Sequence, residues 1–521
     1  MDFDLKIKKI GQLTNVFEFF RYMIDTKVFD NYCLLESVDE NSQEMLFSFM
    51  GLQPDLMLKI NNAESEIYDI YGEQGERLHD ICSKHTFDED KNTFKMPFED
   101  LVPMQLPGLD ELRDVFPTSK NPLPELFPRK VFSGGLLGYI GYDVVAPLAS
   151  YVPSKRSQDL FPDILMGLYT NILAYSHATK TLYEISNTLN GFRSESPVSS
   201  LFRKFSSSKR GADMHQIIKN KDEFLKNAMT GQASNEDFKS NTNLDEWTAM
   251  IDETKEHIYA GDIIQTVISR KMVAKSNLDP LIIYEALRLL NPSPYMFFMN
   301  FNDAHNGDVR IIGSSPEALI TKYESRLETV PIAGTRRRGR NKEDEARMAK
   351  ELLNSTKERA EHIMLVDLAR NDLARVSVPG SVDTYELIKL KKYPNVMHLV
   401  SKVQSTSYLD PIDVLKSVFP AGTVSGAPKK RAMEIISKQE SENRGPYAGV
   451  SGYISFTGNM DMAINIRTIF NKGDMYIAQA GAGIVADSKP KEEYLETANK
   501  MKGILSTLKI GRKLESLRRN E

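Results

Sequence analysis

Residues 447–485 read YAGVSGYISF, MDMAINIRTIF and MYIAQAGAGI, β-rich runs separated by the short turns Thr457-Gly-Asn459 and Asn471-Lys-Gly-Asp474. Turns this short join neighbouring strands only in antiparallel fashion, so the segment predicts an antiparallel meander. A helix follows. Asp487 and Ser488 stand as caps, Pro490 suits a first helical turn, and Tyr494, Ala498, Met501, Leu505 and Leu508 fall on one stripe. Further upstream, FPDILMGLYTNILAYSHATKTLYEISN alternates apolar and polar residues about His177-Ala-Thr-Lys180, which predicts a hairpin. There is no internal repeat and no strict βαβ alternation. The fold class is therefore α+β with antiparallel sheets.

At 521 residues, with 41% hydrophobic and 26% charged residues, the chain has the balance of a soluble globular protein with a sizeable core. Its net charge of −5 gives no global basic field for nucleic acid or an anionic membrane, so any anion site must be local. Cys33 and Cys82 are too few for a disulfide framework and lack C-x-x-C spacing, which points to a reducing compartment, the cytoplasm by default. No run approaches the roughly 18 apolar residues of a membrane span. The polar, Ser- and Lys-rich residues 203–245 read as a connector. They divide an N-terminal region, 1–202, from a region 246–510 and a charged tail, 511–521.

Glu358-Arg-Ala-Glu361 and Glu493-Tyr-Leu-Glu496 each place two carboxylates on one face of a predicted helix. Brought together, the faces would suit Mg²⁺, a hard cation that takes oxygen ligands; apart, they are solvated helix surfaces. Gly481-Ala-Gly483, in QAGAGIVADS, resembles a fragment of a dinucleotide loop. It lacks the helix that must follow directly within a βαβ unit, so NAD is excluded. What remains is a glycine-rich stretch that either lets backbone N–H groups approach an anion or only packs. His398 alternates with apolar residues on a strand, and either packs there or acts as a base. Arg467 lies in the apolar run INIRTIF, where its charge should meet a carboxylate of the protein or of a ligand. Tyr447 and Thr423 offer neutral hydrogen bonds, and Glu317 follows a Ser-Pro turn.

Taken in order, GDIIQTVISRK, NPSPYMFFM, GSSPEALI, PIAGTRRRG, ERAEHIMLVDLARNDLARV, VMHLVSKV, GTVSGAPKKRAMEII, GPYAGVSGY, INIRT and QAGAGIVADS closely resemble the chorismate-utilising enzymes, and within them the family of anthranilate synthase synthase subunits. The resemblance is dense over residues 245–508 and thinner before, through LLES and GGLLGYIGYD. It implies a sandwich of antiparallel sheets with helices outside. It also implies Mg²⁺ on Glu358, Glu361, Glu493 and Glu496, and chorismate held by Tyr447, Arg467 and the backbone about Gly481 and Gly483. Thr423 and the Ala333-Gly334-Thr335 segment help to seat the substrate, Glu317 matches the general acid for the departing ring hydroxyl, and His398 matches the base for pyruvate elimination.

Two positions bear on the nucleophile. Relatives that add water carry a lysine base where Gln265 stands, and aminodeoxychorismate synthases typically carry a reactive lysine where Ala333 stands. Glutamine and alanine leave free ammonia to attack. The cysteine settings resemble no amidotransferase nucleophile, so a separate glutamine amidotransferase subunit, and hence a hetero-oligomer, is implied. Glu36 and Ser37, with Pro294, Tyr295 and Met296, match segments that bind inhibitory tryptophan in the family. Aminodeoxychorismate synthase component I and a non-catalytic tryptophan-binding subunit are the competing readings.

Overall fold

The computed structural model describes residues 3–39, 44–61, 64–68, 71, 76, 87–88, 93–94, 132–145, 160–189, 197–207, 221–230, 238–303, 307–392 and 396–519; Cys82 lies outside them. Two large antiparallel sheets, of twelve and eleven strands among the described residues, form the body. The first runs Phe3–Gln12, Thr181–Leu189, Asn171–Ser176, Met45–Leu52, Tyr32–Val38, Tyr295–Asp303, Gly307–Ser315, Thr468–Lys472, Met475–Ile484, Gln265–Lys275 and Lys239–Ser240, with Gly426–Ala427 also pairing Gln265–Lys275. The second runs Ile332–Arg337, Val396–Thr406, Arg326–Thr329, Ala318–Tyr323, Met460–Ile464, Val450–Ser455, Gly135–Ile140, Ile164–Tyr169, Leu56–Asn61 and Glu64–Tyr68, with Asp383–Lys392 also pairing Val396–Thr406.

One apolar core joins residues of both sheets, among them Phe297 and Ile311 of the first and Leu136, Leu165 and Met462 of the second. Central strands such as Gly135–Ile140 and Val450–Ser455 are buried at every position. That burial explains why GLLGYI and VSGYIS are continuous runs without polar alternation. A second core fills the outer face of the first sheet, where Phe298 and Ile312 meet Phe20 of the helix Val16–Asp25, Ile283 of Pro280–Leu290, and Met501 and Leu508 of Pro490–Arg519. This is the α+β sandwich with outer helices. None of the helices among the described residues is long and apolar enough to cross a membrane.

Three expectations need correction. The predicted meander over 447–485 is two hairpins in different sheets, Val450–Ser455 with Met460–Ile464 and Thr468–Lys472 with Met475–Ile484. The chain crosses between sheets at Asn465-Ile466-Arg467. The charged tail is the end of the helix Pro490–Arg519: Ile510 and Leu514 are buried against Ile282, Ala286 and Leu289, and Arg518 pairs with Glu285 at 2.7 Å and with Glu18 at 2.6 Å. Finally, the connector does not part the chain in space. Regions on either side of 203–245 interleave, as where Tyr32–Val38 pairs with Tyr295–Asp303 and Gly135–Ile140 with Val450–Ser455. The hairpin about His177-Ala-Thr-Lys180 forms between Asn171–Ser176 and Thr181–Leu189.

Candidate active site

Glu317 sits between the strands Gly307–Ser315 and Ala318–Tyr323, with its backbone held at both ends. Its N–H donates to Ser315 Oγ at 3.3 Å, and its carbonyl accepts from Ile464 N–H at 3.0 Å. Thr423, on the short helix Gly422–Val424, donates its hydroxyl to Glu317 Oε1 at 3.0 Å. Burial raises the carboxyl's pKa from 4.5 to about 8, against the smaller opposing effect of that hydrogen bond. Glu317 is therefore mostly protonated at neutral pH. Its cavity is lined chiefly by Leu365, Leu368, Ala369 and Val418, and also by Asp372, which Lys429 pairs with at 2.7 Å.

His398 lies on Val396–Thr406, opposite Thr335. Gly334, at φ +65°, makes a bulge between Ala333 and Thr335 that turns its carbonyl onto the imidazole. Nδ1 donates to that carbonyl at 3.0 Å, with Thr335 Oγ1 at 3.1 Å from the same nitrogen, so Nε2 is the basic nitrogen of a neutral ring. Burial lowers the imidazole's pKa below 6.5; the Gly334 carbonyl opposes this and the Arg467 charge adds to it. Ala333 is buried opposite Leu399 and presents only a methyl group.

The helix Thr356–Ala374 starts at Ser355, whose hydroxyl accepts from Glu358 N–H at 3.3 Å and so places Glu358 in its first turn. On the helix Pro490–Arg519, Trp247 Nε1 donates to Pro490 carbonyl at 3.1 Å and Arg270 lies 3.8 Å over the Tyr494 ring, between Glu493 and Glu496 in sequence. The two glutamate faces meet electrostatically. Burial raises the Glu361 pKa, with the charges of Glu358 and Glu496 adding to it. Burial likewise raises Glu493, with Glu496 adding. Glu358 is held by Arg336 at 2.9 Å and Glu496 by Lys500 at 2.7 Å. Among the described residues, no three metal-ligating side chains are near enough to hold an ion as they stand. Carboxylate oxygens are the donors that a hard cation such as Mg²⁺ takes, and Glu361 and Glu493 each feel the charge of a neighbouring glutamate.

Gln265 hydrogen-bonds Glu361 and lies directly over Gly483, where a Cβ would collide with its amide nitrogen. Its Oε1 is buried without a partner. Gly481 and Gly483 belong to the strand Met475–Ile484, paired with Ser269 and Val267, and not to a loop after it. The Gly481 carbonyl accepts from Lys500 Nζ at 2.8 Å. Tyr447 is buried and hydrogen-bonds the Gly481 backbone; burial lifts its pKa to about 12, and the Arg444 charge opposes the rise.

Arg467 stands at the crossing between sheets at φ +54°, a conformation that costs a residue bearing a Cβ about 1–2 kcal/mol. Nη1 donates to Lys500 carbonyl at 3.0 Å, and no carboxylate among the described residues pairs with it. Burial lowers its pKa, and the Tyr447 and Glu496 side chains oppose this. The groups are continuous: Gly334 packs on Glu358, Glu358 neighbours Glu361, and Lys500 links Glu496 to Gly481 and Arg467. His398 does not line the Glu317 cavity, whose lining residues Thr329 and Pro331 lie on the chain beside the His398 strand.

The two segments singled out for a regulator also meet. Glu36 pairs with Met296 and Ser37 with Tyr295 in antiparallel register, and Val38 N–H donates to Pro294 carbonyl at 3.2 Å. Glu36 is buried on Arg288 at 2.8 Å, with the Tyr284 hydroxyl donating to it at 2.8 Å.

Arg270, Lys500 and Arg336 were missed. Arg270, in QTVISRKMV, shows the same charge-in-an-apolar-strand signal that singled out Arg467, and Glu496 with Lys500 is an i,i+4 pair on a helix. Nothing in sequence pairs Arg336 with Glu358, because a fold contact joins them.

The model of the chorismate binding enzyme family matches residues 79–506. The chain is 42% identical over 393 residues to anthranilate synthase component 1 of Aquifex aeolicus, covering 74% of this chain and 76% of that protein. It is 36% identical over 488 residues to that of Bacillus subtilis, covering 92% and 87%. The crystal structure of anthranilate synthase component I from Streptococcus pneumoniae superposes with a TM-score of 0.67 at 31% identity, over 90% of this chain and 94% of that one. The Escherichia coli menaquinone-specific isochorismate synthase shares the fold, with a TM-score of 0.64 at 16% identity. On the family model and on relatives more than 30% identical over most of both chains, the chain belongs to the anthranilate synthase component 1 family of chorismate binding enzymes.

Proposed function

We propose that this protein converts chorismate and ammonia to anthranilate, pyruvate and water, with Glu317 as acid and His398 as base. The observation that carries the reading is the opposite tuning of these two groups: burial keeps the carboxyl protonated and the imidazole neutral in one pH range. Arg467, which pairs with no carboxylate among the described residues, and Tyr447 take the enolpyruvyl carboxylate. Glu358, Glu361, Glu493 and Glu496 would hold Mg²⁺, which when bound neutralises the ring carboxylate.

Ammonia forms the C–N bond at the ring carbon next to the carboxylate-bearing one. The ring double bonds shift, the hydroxyl C–O bond breaks, the Glu317 proton leaves with the oxygen as water, and the new ammonium group loses a proton that returns Glu317 to its acid form. His398 Nε2 then removes the proton on the aminated carbon. The ether C–O bond breaks, the ring becomes aromatic, and the enolpyruvate released tautomerises to pyruvate. Gln265 has no basic nitrogen with which to deprotonate water and Ala333 has no amine, so ammonia is the nucleophile that remains.

Incubation with chorismate, Mg²⁺ and a high concentration of ammonium should produce anthranilate fluorescence. Glutamine should replace ammonium only after an amidotransferase subunit is added. Turnover of glutamine by this chain alone, or a para-amino product, contradicts the reading.

Feedback by tryptophan acts where Glu36 and Ser37 meet Pro294, Tyr295 and Met296. Ser37→Phe, which places a ring beside Tyr295, should abolish inhibition in a tryptophan titration while turnover persists. Inhibition unchanged from wild type would remove the site from this strand pair.

A further inference from the structure

Arg444 is 3% exposed and Glu440 6%, and no step of the reaction uses either. Both lie far from solvent, one helical turn apart in sequence, joined by two hydrogen bonds: Nε to Oε2 at 2.9 Å and Nη2 to Oε1 at 2.7 Å. The rest of the guanidinium is directed at the site's scaffold. Nη1 donates to Val424 carbonyl at 2.7 Å, next to Thr423, and Nη2 to Val267 carbonyl at 2.6 Å, two residues beyond Gln265. The cation also lies 4.5 Å from the Tyr142 ring centroid and 5.7 Å from that of Tyr447. Glu440 completes the arrangement by accepting from Ser269 N–H at 2.8 Å and Ser269 Oγ at 2.9 Å, on the strand paired with Gly481 and Gly483.

We infer that Arg444, held by Glu440, is a positioning residue that sets three parts of the active site against one another: the Thr423 turn that holds Glu317, the strand that carries Gln265, and Tyr447. The Thr423 turn and the Gln265 strand are distant in sequence, and the guanidinium bonds a carbonyl of each while lying beside the Tyr447 ring. The Thr423 segment and the Gln265 strand already meet through Val267 N–H, which donates to Ser425 carbonyl at 2.8 Å, but the Val424 and Val267 carbonyls cannot bind one another, and a planar fork of five donors joins them. A methionine would fill the volume without joining them. A lysine would keep the charge but cannot hold a bidentate carboxylate and two diverging carbonyls in one plane.

The inference rests on placing Thr423, Gln265 and Tyr447 in the site. Turnover of chorismate by the unaltered protein tests that placement; the variants test only Arg444. Arg444→Lys should keep a melting temperature close to that of the parent, yet lose about 10- to 100-fold in kcat/KM, with KM for chorismate raised through Tyr447 and kcat lowered through Thr423. Arg444→Met leaves Glu440 as a lone buried charge and should lose stability as well. Adding Glu440→Gln removes that charge and keeps an acceptor for Ser269, so stability should return while turnover does not. A merely structural pair predicts the opposite, because activity would return together with the melting temperature. Turnover restored in the double variant, or parental kinetics in Arg444→Lys, overturns the inference.

Discussion

Glu317→Gln should lower kcat for amination by about 10²–10⁴-fold, with chorismate binding largely retained. The glutamine amide is close in shape and still accepts the Thr423 hydroxyl, but it has no proton acidic enough for the departing oxygen. Activity of the parent enzyme should fall as pH rises through about 8, where the buried carboxyl ionises. Stability carries the same sign. The folded state holds a proton on Glu317 that the unfolded chain releases near pH 4.5, so this group's contribution is full below that pH and is lost as pH rises through about 8. The glutamine variant escapes that loss, and its melting temperature should gain on the parent's between pH 5 and pH 9, as roughly spaced melts on either side of the carboxyl's range would show. Equal turnover in the variant, or a high-pH limb unmoved by it, would remove Glu317 from the acid's role.

His398→Ala should separate the two half-reactions. Amination uses Glu317 and proceeds, whereas aromatisation needs the base on Nε2 and stalls. Anthranilate formation should drop by about 10²–10⁴-fold, with the aminated, non-aromatic compound appearing in solution by chromatography. The acidic limb of the parent's profile should lie below pH 6.5, because burial resists charging the ring. Loss of both steps together, with no intermediate released, counts against the assignment. The Gly334 carbonyl is central here: it binds the Nδ1 proton and so sets which nitrogen faces the reaction.

Much of this arrangement could be read before any fold was known. Glu358 and Glu361, or Glu493 and Glu496, share a helix face because 3.6 residues make a turn, and ordered motifs placed Glu317, His398, Tyr447 and Arg467 in one family. Arg467 shows where such reading fails. Its run, INIRTIF, is apolar enough to look like one strand, but Ile464 and Thr468 belong to different sheets and the arginine occupies the turn between them. Gly481 and Gly483 resembled part of a loop, but they lie inside a strand, where the Val267 side chain at Gly481 and the Gln265 amide at Gly483 occupy the space of a Cβ.

Local spacing and side-chain chemistry were thus determined by the sequence: antiparallel strands, capped helices, paired carboxylates, and a glutamine and an alanine where a reactive amine would redirect the nucleophile. Tertiary structure alone decided the protonation states and the company of each group. The Glu317 pKa follows from the water excluded around it, the Nδ1 proton of His398 from a bulge on a neighbouring strand, and the Arg444 clasp from three distant segments meeting. Desolvation and long-range hydrogen bonds depend on which atoms surround a group in space, and a linear order of residues contains no such neighbourhood until the chain has folded.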